Sequence, residues 1–98
     1  MGAAKEEVEF MIELKREFKT TVSRNMAELK SFLQEEKFED IARIAHDIKG
    51  TAGLFELEKG CEIAKELQRA AQNRENEKTK TLIEEMISYM KEAGISDA

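Results

Sequence analysis

A single histidine, His46, stands in the run Ala45-His46-Asp47-Ile48-Lys49-Gly50-Thr51-Ala52-Gly53, with a lysine three residues on and glycines four and seven residues on. Neutral imidazole is a competent nucleophile that titrates near neutral pH, so it can attack an activated phosphoryl group and later surrender it. On a helix, about 100° per residue brings Lys49 and Gly50 onto the same patch of surface as the ring, with Gly53 one turn further along. Lys49 is then placed to offset the charge of a phosphoryl group, whose oxygens are strong acceptors for its ammonium donors. A glycine inside an exposed helix costs about 1 kcal/mol relative to alanine, so Gly50 and Gly53 call for a reason. One reason is close approach of a neighbouring helix; the other is room for a partner to reach the imidazole. Their angular position away from the apolar stripe favours the second.

The elements that must hold this patch read as helices. Apolar residues Val8, Met11, Ile12, Phe18, Val22, Met26, Leu29 and Leu33 keep to one broad helical face, as one long helix or two collinear ones. Thr20, Thr21, Val22 and Ser23 are poorer helix formers, so if the rod is broken or kinked, the break falls there. Such a rod is about 45 Å long at ~1.5 Å per residue, roughly twice the later helices, so its excess must fold back or protrude. A second helix starts near Phe38 and turns Ile41, Ala45, Ile48, Ala52 and Phe55 to the core, leaving His46 pointing away from the centre of that face.

A third helix, from about Leu57 to Asn73, buries Leu57, Gly60, Cys61, Ala64, Leu67 and Ala71, mostly small residues that let a neighbour approach closely. Gln68 lies in that stripe, where a polar side chain is unfavourable without a hydrogen-bond partner. Bonded to one ring nitrogen of His46 it would fix the tautomer and leave the other nitrogen free; bonded to water it would sit at the rim of the core. After the polar turn Asn73-Arg74-Glu75-Asn76, a fourth helix runs through Leu82, Ile83, Met86, Tyr89, Met90 and Ala93 to Gly94, a C-terminal cap. The boundary at Gly53 to Glu56 carries no strong stop signal. The expected fold is all-α, an antiparallel four-helix bundle with a long or broken N-terminal helix, and residues 1–98 form a single domain.

Composition agrees and removes several functions. The 98 residues are 41% hydrophobic and 38% charged, with no proline, which suits a folded helical chain. A net charge of −5 lacks the basic excess of a phosphate-backbone surface, so no nucleic acid partner is expected. The lone Cys61 makes no internal disulfide, no apolar run approaches the ~20 residues that span a bilayer, and no signal-peptide pattern opens the chain. A cytoplasmic protein with no membrane partner is the expectation. One histidine and one cysteine on different helices do not complete a metal or haem ligand set, although glutamates could contribute. No acid–base pair or nucleophile with an adjacent base marks a hydrolytic enzyme.

The run Ala45-His46-x-x-Lys49-Gly50-Thr51-Ala52-Gly53 resembles the A-H-x-[LI]-K-G-[ST]-A motif of the histidine-containing phosphotransfer domains of two-component phosphorelays, and the likeness extends from about Phe18 to Gln68. The resemblance implies that His46 accepts the phosphoryl group, that Lys49 assists the phosphate, and that Gly50 leaves room for a receiver domain. It places at Gln68 the glutamine or glutamate that bonds the other ring nitrogen. It implies a phosphocarrier without turnover of its own, exchanging phosphate with an aspartate of a response-regulator receiver domain and fed by a histidine kinase or hybrid kinase. No cofactor of its own is implied, since Mg²⁺ is expected on the receiver. Docking is expected on the exposed face around Ala42, His46, Lys49, Gly50 and Gly53. Glu56 and Gly60 depart from the family pattern, which usually carries glycine and leucine there. Other readings are the phosphorylated N-terminal domain of a chemotaxis-type or hybrid kinase, and a helical adaptor bundle without phosphotransfer.

Overall fold

The computed structural model describes residues 2–97, with side chains from Lys5 onward. Four helices, α1 (Gly2–Gln34), α2 (Phe38–Leu54), α3 (Glu58–Gln72) and α4 (Asn76–Glu92), follow one another through three-residue connections. Each helix packs on the next and α4 closes against α1, while the backbones of the diagonal pairs α1–α3 and α2–α4 stay apart across the shared core. That is the expected antiparallel four-helix bundle, and no strand occurs among the described residues. Its core is built from one stripe of each helix: Met26 and Leu29, Ile41 and Ile48, Ala64 and Leu67, Met86 and Met90, all essentially without solvent contact.

All four helices end in the same way. The N–H groups of Lys37, Leu57, Glu75 and Ile95 donate to carbonyls five residues back at 2.9–3.0 Å, and the residue before each donates three back. This paired pattern requires a left-handed residue just past the helix, a position that favours glycine. Gly94 meets that need at φ 73°, but Glu36, Glu56 and Arg74 adopt φ 55°, 58° and 54° with side chains attached. None of α2, α3 or α4 has a side-chain cap at its start. Backbone hydrogen bonds and apolar anchoring hold the turns instead. At the α2–α3 connection, Phe55 stacks on Phe18 of α1 with ring centroids 4.6 Å apart and planes within 4°. The missing stop signal near Gly53 to Glu56 is thereby explained: the turning residue is a glutamate, and a distant aromatic ring fixes the exit. At the α1–α2 turn, the Glu35 carboxylate accepts from the Lys37 ammonium at 2.8 Å and raises the pKa of that lysine.

Of the two alternatives, one long helix or a broken one, α1 takes the first and runs unbroken through Thr20, Thr21 and Ser23. Phe18, Val22 and Met26 are buried across that stretch, and their packing outweighs the poor local propensity. Only the C-terminal part of the stripe is covered, from Phe18 to Leu29 with Leu33 half-buried; Val8, Met11 and Ile12 remain exposed. The excess length therefore protrudes, and the long dimension of the molecule, 52 Å, is that of α1 alone. The α3 stripe is broader than the spacing indicated: Ile63 and Ala70 join the core while Leu57 and Cys61 are half-buried. Ala93 is exposed beyond α4, and Thr79, fully buried, has a hydroxyl without a hydrogen-bond partner.

Candidate functional site

α2 owes its orientation to Ile41, Ala45, Ile48 and Ala52, all 0–1% exposed, which lock one face into the bundle and leave His46 and Asp47 in solvent on the other. The imidazole lies in an open depression with Gly50, Thr51 and Leu54. Gly50 is exposed, and a Cβ there would meet no atom within 4 Å beyond its own helical surroundings. Gly53 is exposed as well, and its Cβ would make only an ordinary contact, 3.8 Å from Cys61 Sγ. Neither glycine is needed for close approach of helices. Both cost helical stability that nothing inside the fold offsets. His46 makes no hydrogen bond or ion pair among the described residues.

The half-buried Lys49 lines a separate groove between α2 and α3, which it shares with Gln68, Lys65 and Arg69. The backbone beneath it is tied across the interface, where the Cys61 thiol donates to the Lys49 carbonyl at 3.6 Å. Gln68 is half-buried at the edge of the core, and its side chain makes no hydrogen bond to the imidazole or to any other described group. The structure therefore groups Gln68 with Lys49 and sets His46 with Gly50 in the adjoining depression. Glu62 and Glu66 also border the groove, so its charge is mixed. Among the described residues no three His, Cys, Asp or Glu side chains cluster as a metal site.

Ala42 corrects an expectation. It is 9% exposed and belongs to the core, because α2 buries a wide arc that includes Phe38, Ala42 and Ile44 beside the main stripe. The exposed face of α2 instead runs through Glu39, Arg43, His46, Asp47 and Gly50 toward the C-terminal end of the helix. Spacing alone missed Leu54, which is 68% exposed and lies in the depression with His46. Its position eight residues after the histidine, within about 80° on the helical wheel, is a signal that could have found it. Lys65 and Arg69, which flank Gln68 by three residues and one, were also readable as neighbours of any site on that side of α3.

Comparison with known proteins bears on this arrangement. A family model described as Hpt domain matches residues 13–94, more than four-fifths of the chain and all of the bundle's helical core. Comparisons with curated proteins and with solved structures gave no significant match.

Proposed function

This chain belongs to the Hpt domain family, whose members carry phosphoryl groups on histidine in phosphorelays, and from that premise we propose that His46 is the carrying residue. The observation that supports it most is Gly50: a mid-helix glycine one turn from the ring, in open space, with no packing reason for its missing side chain. The exchange runs between an aspartyl phosphate of a receiver domain and the unprotonated nitrogen of neutral His46. The N–P bond forms as the acyl-phosphate P–O bond breaks, and the aspartate leaves as carboxylate. The other ring nitrogen keeps its proton during attack and releases it to solvent from the imidazolium product. Passing the group onward reverses these changes, so the chain returns unaltered and acts as a carrier without turnover of its own.

Lys49 supplies a positive charge beside the phosphorylated ring once its flexible side chain swings from the groove, and Gln68 orients either that ammonium or the imidazole. Gly50 and Gly53 keep the approach clear, and Leu54 offers an apolar contact at its edge. Mg²⁺ belongs to the receiver in this reading, and the chain needs no cofactor of its own. Hpt domains work with receiver domains and kinases, and the same partners are proposed here. Incubation with a phosphorylated receiver tests the assignment. His46→Gln is expected to abolish label transfer with the bundle intact, and transfer that persists in that variant rules His46 out.

A further inference from the structure

The largest feature that phosphotransfer does not use is the stretch of α1 that protrudes from the bundle before Phe18. Among the described residues, four of the five exposed large hydrophobic side chains lie within two turns there: Val8 at 58% exposure, Phe10 at 63%, Met11 at 45% and Ile12 at 52%. Val8 and Met11 prolong the stripe that Phe18 and Val22 bury in the bundle, so the core-facing surface of α1 runs two turns past anything that covers it. Shallow grooves flank Met11 on both sides, one with Phe10 and the other with Val8 and Ile12.

Charge order along this rod indicates what covers it. Residues 5–9 hold Glu6, Glu7 and Glu9 against Lys5, while residues 15–19 hold Lys15, Arg16 and Lys19 against Glu17. Lys19 bridges Asp97 at 3.2 Å, but Glu6, Glu7, Glu9, Lys15 and Arg16 make no ion pair among the described residues. We propose that two copies of this chain pair antiparallel through residues 5–19 of α1, centred near Ile12. A two-fold axis there sets the acidic end of each helix against the basic end of its partner, whereas a parallel pair would set like against like. Val8, Met11 and Ile12 share one face with Phe10 at its edge, so a partner helix covers at most on the order of 400 Å² per chain, about 800 Å² per pair, less than the roughly 1,200 Å² of a stable interface. The dimer is accordingly weak and reversible, with dissociation in the micromolar range or above.

Sedimentation equilibrium of the whole chain from ~10 μM to ~1 mM reads this directly. A concentration-dependent monomer–dimer equilibrium is expected. Met11→Glu should weaken it at least tenfold without changing helix content or melting temperature, since that side chain is exposed. A chain with Glu6→Lys, Glu7→Lys and Glu9→Lys, and another with Lys15→Glu and Arg16→Glu, should each dimerise more weakly, while all five changes in one chain should restore association. A protein that stays monomeric throughout, or dimers indifferent to Met11→Glu, overturns the proposal. Failure of the fivefold variant to recover overturns the antiparallel arrangement.

Discussion

Two helical glycines, ten residues apart, have opposite surroundings. Gly50 on α2 is exposed, with nothing near the position its Cβ would take. Gly60 on α3 is buried, and its Cβ would stand 3.0 Å from Tyr89 Cε1 and 3.5 Å from both Leu57 and Met90. Gly60 is small because α4 lies against it. No such neighbour explains Gly50, so what its bareness serves must come from outside the chain. The same residue type, with the same cost to the helix, thus marks packing at one place and access at the other. Helical spacing already pointed this way, placing Gly60 in the apolar stripe of its helix and Gly50 away from the stripe of its own; the contacts of Gly60 and the open space at Gly50 agree with it.

The sharpest way to break the contrast is to add bulk at each position. Gly50→Arg is expected to keep the fold, with a melting temperature a few degrees higher from helix propensity, and to lower transfer from a phosphorylated receiver by on the order of 100-fold, since a small displacement of reacting groups is that costly. Full activity in this variant would remove the steric argument. Gly60→Leu should do the reverse. Overpacking against Tyr89 and Met90 should cost ~1–3 kcal/mol, a fall of several degrees or more in melting temperature, while transfer by the folded fraction persists at low temperature. Leucine is usual at this position in the family, so an unaffected melting temperature would show that α4 yields easily.

Gentler changes sharpen the same comparison. Gly50→Ala places one methyl in open space and should raise stability by ~1 kcal/mol from helix propensity alone, with a thermal melt as the readout. A destabilised Gly50→Ala protein would mean that something packs there after all. The smallest effect is expected between the two glycines, at Glu56. Relief of its left-handed strain is worth ~1–2 kcal/mol, and the added freedom of glycine in the unfolded chain offsets about half of that. Glu56→Gly should therefore gain only a fraction of a kilocalorie, visible as a slight rise in denaturant midpoint with transfer unchanged.

Much of the architecture was legible because helical periodicity is a local property. The alternation of Ile41, Ala45, Ile48 and Ala52 announced the buried face of α2 and, by exclusion, the exposure of His46. Turn chemistry was less legible. Glu36, Glu56 and Arg74 take a backbone conformation that their side chains disfavour, held there by hydrogen bonds to the preceding helix and, at Glu56, by the stacking of Phe55 on Phe18. Those rings are far apart in the chain, and no local rule connects them. The continuity of α1 across its threonines was hidden for the same reason, since burial of Phe18 and Val22 supplies what propensity withholds.

The order of residues alone determined four amphipathic helices, the side of α2 on which the imidazole stands, and the absence of bulk beside it. Each follows from the angular step between neighbouring residues. Tertiary packing decided that Ala42 is covered, that Gln68 faces the Lys49 groove, that Tyr89 and Met90 are the neighbours that press on Gly60, and that the apolar stripe of α1 outruns the bundle. These depend on which surfaces of other helices arrive at each position and how far they reach, quantities set by the mutual approach of whole elements.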